Sequence, residues 1–142
     1  LHQEINIGVA VALDKGLIVP VVKGANLKGI RQIAQETSDL IARARNETLT
    51  GADVRGGTFT ITNLGPFGVE QFNAIINPPE SGILAVGATT RDVVVQEDGS
   101  IAVKPIMRFT LSADHRVVDG AVAARFIADL KDTLENPILM NY

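Results

Sequence analysis

Leu111-Ser112-Ala113-Asp114-His115-Arg116-Val117-Val118-Asp119-Gly120, residues 111–120, is the stretch where an apolar strand gives way to a helix. Ile106 to Ala113 reads as the strand, and it delivers Asp114 and His115 at its end. Beyond Asp119, residues Val122, Phe126, Ile127, Leu130 and Leu134 recur on one helical face until Asn136-Pro137 stops the pattern. Asp119 suits the cap of that helix. The same run sets an imidazole four residues before a carboxylate. An imidazole with an unperturbed pKa of about 6.5 is neutral and basic near pH 7, so the spacing also suits a general base and the carboxylate that orients it. Taken alone, His115 with Arg116 and Asp119 fits a solvated strand end with local ion pairing better than it fits a site.

Working upstream, Val93-Val94-Val95 and Ile101-Ala102-Val103 flank Gln96-Glu97-Asp98-Gly99-Ser100, a hairpin with Asp-Gly at its tip. Ile83-Leu84-Ala85-Val86-Gly87 reads as a buried strand after the rigid turn Asn77-Pro78-Pro79-Glu80. Gly56-Gly57 opens a further strand, Thr58 to Asn63, with Phe59 and Ile61 on one face and Thr58, Thr60 and Thr62 on the other. A threonine row of this kind commonly reflects β-propensity alone. Here it runs into Leu64-Gly65-Pro66-Phe67-Gly68, whose glycines permit a sharp turn and a close backbone approach, and Thr62 stands at the strand end as a candidate donor.

At the other end of the chain, Ile5 to Leu13 and Leu17 to Val22 form a hairpin about Asp14-Lys15-Gly16. A long amphipathic helix is expected from Asn26, its cap, with Leu27, Ile30, Ile33, Ala34, Thr37, Leu40, Ile41 and Ala44 on one face, ending near Thr50-Gly51. Its apolar face reads as packing only. The chain also begins abruptly, Leu1-His2-Gln3-Glu4 running straight into a strand, so a truncated chain or fragment is expected. With no repeat or linker, the pattern is a mixed sheet with two long helices, an α+β two-layer sandwich.

Composition narrows the classes. At 142 residues, 46% hydrophobic and 20% charged, the chain has the makings of one globular core, one domain or part of one. A net charge of −3 with interspersed signs, a single Tyr and no Trp argue against a nucleic-acid surface. No apolar stretch approaches the ~20 residues that span a bilayer, and no membrane association is expected. With no Cys, and His2 and His115 far apart, neither a disulfide framework nor a metal site is supported. GxGxxG and GxxxxGK[ST] are both absent.

Phe59-Thr60-Ile61-Thr62-Asn63-Leu64-Gly65-Pro66-Phe67-Gly68, Ile75-Ile76-Asn77-Pro78-Pro79, Ile83-Leu84-Ala85-Val86-Gly87 and Leu111 to Gly120 together resemble the dihydrolipoamide acyltransferase component of 2-oxo acid dehydrogenase complexes. Ile5-Asn6-Ile7-Gly8-Val9-Ala10-Val11 and Gly16-Leu17-Ile18-Val19-Pro20 resemble it too, so the similarity covers the whole chain in order. The resemblance implies a chloramphenicol acetyltransferase-like fold with long helices packed on one face of the sheet. It implies a homotrimer with the histidine of HxxxDG from one subunit and the hydroxyl strand from its neighbour, trimers assembling into a larger hollow core. Residues 1–142 would match about the C-terminal three fifths of the catalytic domain, with its first part and the lipoyl and subunit-binding domains lying outside the chain.

Carried over by position, His115 would act as general base on the thiol of coenzyme A, or on dihydrolipoamide in reverse. Thr62 would donate to the tetrahedral oxyanion, a kind of donor whose loss costs on the order of 2.7–4 kcal/mol. Asp119 would hold the loop and imidazole geometry, and Asn63, Pro66, Gly87 and Thr89 would line the coenzyme A channel. Coenzyme A is thus a substrate, and the lipoyl group would ride on a separate domain. The 2-oxo acid dehydrogenase and dihydrolipoamide dehydrogenase components would bind through domains not in this chain. The compartment implied is the cytoplasm in a bacterium, or the mitochondrial matrix or a plastid in a eukaryote. Leu64 and the run Phe72 to Ile76 look like acetyl-transferring members, while Ser112 to Arg116 also occurs in branched-chain types; succinyl transfer is the remaining alternative. Two further readings stay open: an inactive assembly fragment of the core, and a free-standing acyltransferase with a small acceptor, against which Asp114-His115-Arg116 argues.

Overall fold

The structure is a computed structural model that describes residues 3–140; His2 lies outside the described residues. Seven strands form in chain order: β1 (Ile7–Val9), β2 (Val11–Leu13), β3 (Gly16–Ile18), β4 (Val21–Val22), β5 (Phe59–Asn63), β6 (Gly82–Val95) and β7 (Ile101–Ala113). Two helices accompany them, α1 (Ile30–Arg45) and α2 (Gly120–Glu135). Five strands make one mixed sheet in the order β4-β1-β5-β6-β7, and β2 and β3 pair separately as a small hairpin. The central pairs β1/β5 and β5/β6 are parallel, and the outer pairs β4/β1 and β6/β7 are antiparallel.

The expected N-terminal hairpin forms about its Asp14-Lys15-Gly16 turn, but the chain leaves the main sheet after Val9. Ala10 donates its amide to Ile61 O, and β2 and β3 fold away as a ribbon. Val93 to Val95 and Ile101 to Val103 are not a separate hairpin. They are the far ends of β6 and β7, which pair from Gly82↔Ala113 to Val95↔Ile101. Gly87 does not end its strand: between Val86 and Thr89 the register slips so that Gly87 and Ala88 together oppose Arg108 alone. Pro105 is tolerated in β7 because that strand is the sheet's edge.

The first helix starts later than its apolar pattern suggests. Ala25–Leu27 form a 3-10 turn, Lys28 is extended, and α1 begins after Gly29. Asn26 is therefore no helix cap; its Oδ1 accepts from the Ile5 amide at 3.1 Å, tying the turn to the chain start. The helix also ends early, at Arg45. Glu47 takes a left-handed φ of 56°, the Glu47 amide bonds to Ala44 O and the Thr48 amide to Arg43 O. That pair of bonds is a Schellman ending, which ordinarily has glycine at the left-handed position.

The core is small. Val11, Pro20, Val21, Val22, Leu40, Ala44, Ile83, Leu84 and Ala85 are the buried apolar side chains among the described residues, with Thr60 the one buried polar side chain. The helix α1 rests against β2 and β4, and α2 crosses the Phe59 side of the sheet, where the Phe59 and Phe126 rings stand 5.8 Å apart. No residue of α2 is fully buried. None of the described helices is long and apolar enough to cross a membrane.

Because a side chain in left-handed conformation costs about 1–2 kcal/mol and glycine carries part of that cost in the unfolded chain, Glu47→Gly is expected to stabilise the fold by about 1 kcal/mol. A urea midpoint that does not rise relative to wild type would contradict it.

Candidate active site

The segment after β7 is held by its own polar groups. The Asp114 amide extends the ladder by donating to Ser81 O at 2.9 Å, and Asp114 O accepts from the amides of Val117 and Val118. The Asp114 carboxylate takes three bonds from the Arg116 side chain, of 2.9, 3.1 and 2.6 Å, and one from the Arg116 amide at 3.0 Å. The Arg116 guanidinium, then its amide, hold the Asp114 carboxyl down to about 2. His115 sits between these two residues, exposed, with no hydrogen bond among the described residues. Its imidazole is free to meet a substrate.

Asp119 does what a cap does. Its Oδ1 accepts from the Val122 amide at 2.8 Å at the start of α2. Within this chain that carboxylate is engaged by the helix and makes no hydrogen bond to His115; what it fixes is the backbone at the start of α2.

Of the threonine row, each member has a different environment. Thr58 exchanges hydrogen bonds with the backbone of Asn6 at 3.0 Å. Thr60 is 1% exposed, and its hydroxyl donates to Glu80 Oε2 at 2.6 Å. The Thr62 hydroxyl makes no hydrogen bond among the described residues and opens into a cavity of about 390 Å³ between β5 and the loop Phe72–Asn77. Its hydroxyl is available to a ligand there.

One chain does not bring Thr62 and His115 together. Thr62 pairs with Ala85, and Ala85 with Thr110, whereas Asp114 lies four residues further along, opposite Ser81. Two interstrand spacings and four residues of rise put Thr62 and Asp114 about 17 Å apart. A side-chain contact between Thr62 and His115 inside one chain is out of reach.

The other named residues do cluster. Asn63 Oδ1 accepts from the Gly65 amide at 2.8 Å and opens the 3-10 turn Gly65–Phe67 that contains Pro66. The turn is stitched to β6 by Leu64 N to Val86 O at 3.1 Å and Ala88 N to Val69 O at 2.8 Å. Gly87 sits beneath it, and any side chain there would overlap the Glu70 carbonyl. Packing alone thus accounts for that glycine. Thr89 lies just past the bulge, exposed and paired with Met107, on the opposite face of the sheet from the Arg108–Asp92 ion pair. Glu80 is a polar partner that the sequence pattern does not reveal: it reads only as the last residue of the rigid turn Asn77-Pro78-Pro79-Glu80. Gly8 and Gly57 were the available signal, since side chains at either would crowd the Thr60–Glu80 pair.

A family profile described as 2-oxoacid dehydrogenases acyltransferase (catalytic domain) matches residues 1–142. The chain belongs to this acyltransferase family. The dihydrolipoyllysine-residue acetyltransferase component of the pyruvate dehydrogenase complex of Rickettsia felis is 49% identical over 139 residues, covering 98% of this chain and 34% of that protein. The chain thus spans about a third of the length of such curated relatives. Among solved structures, the dihydrolipoamide acetyltransferase of Azotobacter vinelandii matches with a TM-score of 0.93 at 33% identity, covering 99% of this chain and 58% of that one. The cubic core of a pyruvate dehydrogenase multienzyme complex matches with a TM-score of 0.93 at 34% identity, again over 99% and 58%. These neighbours carry the chloramphenicol acetyltransferase-like fold expected above, and the family's mixed sheet with helices is the architecture found here.

Two outcomes test the local geometry. Asp119→Ala is expected to cost about 1 kcal/mol through the lost cap while Asp119→Asn costs little, since Asn caps equally well; equal urea midpoints for the two variants would contradict the cap. Because the folded pKa of Asp114 is lowered, its ion pair contributes stability above the unfolded value of about 3.9 and loses it as the pH falls toward about 2. A carboxyl NMR titration should find that low midpoint, and Arg116→Ala should move it up toward about 3.9.

Proposed function

We propose that this chain transfers an acyl group, acetyl first, between dihydrolipoamide and coenzyme A, with His115 as general base and Thr62 as oxyanion donor. The observation that carries this reading is the family match over all 142 residues together with a matched spacing of functional groups. The Azotobacter vinelandii enzyme has been examined for the role of a serine, a histidine and an asparagine in its catalytic mechanism, the last two four residues apart and the serine about fifty residues earlier. His115 and Asp119 repeat the four-residue spacing, and Thr62 lies about fifty residues earlier with a hydroxyl in the serine's place. Asp119 in place of the asparagine keeps a capping side chain.

The chemistry follows from the groups. A thiol of pKa about 8.5 is only a few per cent thiolate near pH 7, so His115 takes the thiol proton of coenzyme A as the sulfur attacks the thioester carbonyl. The oxyanion that forms accepts the Thr62 hydroxyl proton as a hydrogen bond. Collapse breaks the carbon–sulfur bond to the dithiol, and the departing sulfur recovers the proton from the imidazolium. The turn around Asn63 and Pro66 on Gly87, with Thr89 near it, offers neutral donors and a close backbone approach. It suits the amide-rich arm of coenzyme A better than its phosphates.

Because Thr62 and His115 stand far apart in one chain, the site is completed between subunits of a homotrimer, and trimers build a core like the cubic one among the neighbours. The lipoyl group, and the dehydrogenase components that load and reoxidise it, would be met through domains outside this chain. The compartment would follow the host: eukaryotic relatives such as that of Schizosaccharomyces pombe are named mitochondrial.

The decisive experiment mixes two crippled parents in the full-length protein. His115→Ala should lower acyl transfer to coenzyme A by about 10²–10⁴ and Thr62→Ala by about 10²–10³. Co-assembled one to one, the pair should recover about one quarter of wild-type turnover, since each mixed trimer then holds one intact site. Recovery of nothing, with both parents assembled, would contradict the shared site; near-wild-type turnover in His115→Ala would remove the base.

A further inference from the structure

We infer that Glu80 is a positioning residue that, through the buried hydroxyl of Thr60, sets the wall of the cavity in which Thr62 meets the acyl-bearing dithiol. This rests on the reading of Thr62 given above. Thr60 and Thr62 are two residues apart on β5, so they share a face, and both line the same cavity of about 390 Å³. No charged side chain lines that cavity; Leu17, Val19, Phe72, Ile76 and Ile83 give it an apolar interior. Such a lining fits the aliphatic arm and short acyl group of a lipoyl thioester and offers nothing to a polyphosphate.

One wall is the segment Phe72–Pro78, which has no regular secondary structure. Among the described residues, no hydrogen bond ties the backbone of 71–79 to the sheet. The Glu80 amide closes the turn on Asn77 O at 3.0 Å, and the Glu80 carboxylate reaches Thr60 Oγ1 at 2.6 Å. That short, charge-assisted bond is the polar anchor of the whole wall. The sheet is cut to receive it. A Cβ on Gly8 would lie 2.8 Å from Thr60 Oγ1, and one on Gly57 would overlap Glu80 Oε1. Both glycines leave the carboxylate a slot down to the strand.

A wall anchored at its base is held at a fixed distance from Thr62. Released, it would leave the base and oxyanion donor untouched but the acyl-bearing arm poorly seated. The effect belongs on the KM of one substrate, whereas a general loss of fold would reduce the amount of active enzyme and leave every KM alone.

The test is steady-state kinetics on the assembled full-length protein with both substrates varied. Glu80→Ala is expected to raise the KM for the acyl-dihydrolipoamide substrate about tenfold, with kcat within about twofold and the KM for coenzyme A unchanged. Glu80→Gln, whose amide oxygen still accepts from Thr60, should restore the wild-type KM. Should Glu80→Ala not assemble, Thr60→Val carries the same expectation from the other end of the bond. Unchanged KM values, a KM change shared equally by both substrates, or failure of Glu80→Gln to rescue would overturn the role. With His115→Ala run beside them, wild-type turnover in that variant would show that the acyl-transfer reading has failed, whereas a crippled His115→Ala with an unaffected Glu80→Ala would show that only this inference has.

Discussion

The parallel pairing of β5 with β6 constrains the rest of the molecule. Parallel neighbours cannot be joined by a tight turn, because the chain must return from the end of one strand to the start of the next. In most folds a helix makes that crossing. Here residues 64–81 make it almost without one: the turn around Pro66 seats on the β6 bulge, and the loop then descends the threonine face of β5 to Glu80 and Ser81. The turn that gathers Asn63, Pro66 and Gly87, the cavity beside Thr62 and the carboxylate on Thr60 are successive stations of that return path.

Much of this was legible from the residues. The period-2 runs gave the strands, Asp98-Gly99 gave the hairpin tip, and Asp119 followed by an apolar 3.6-residue period gave the cap and α2. What escaped has a common cause. Gly87 looked like a strand end because the backbone that presses on it, at Glu70, comes from a distant loop. The apolar period points to a helix start at Asn26 because it continues through Leu27, yet Lys28 is extended and Leu27 is left exposed. In both places tertiary geometry overrode a local signal.

The site shows the same division. Residue types and spacing made His115, Asp119 and Thr62 candidates, but the local pattern alone fitted a strand end, a helix cap and a β-propensity row equally well, and their roles came from the resemblance to the acyltransferase family. Their mutual placement was not readable, because the distance between Thr62 and His115 depends on strand order and register. The Thr60–Glu80 pair was hidden for a further reason: its signature is two glycines, Gly8 and Gly57, each ordinary alone and meaningful only when three separate segments meet at one carboxylate.

The helix α2 carries a last consequence. It buries no residue completely, and Val122, Phe126 and Leu134 each keep more than two fifths of their surface in water. A helix so lightly held takes little stability from its own chain. Any surface that covers its apolar stripe therefore stabilises the folded form by mass action, and the melting temperature then becomes a function of the concentration of whatever supplies that surface.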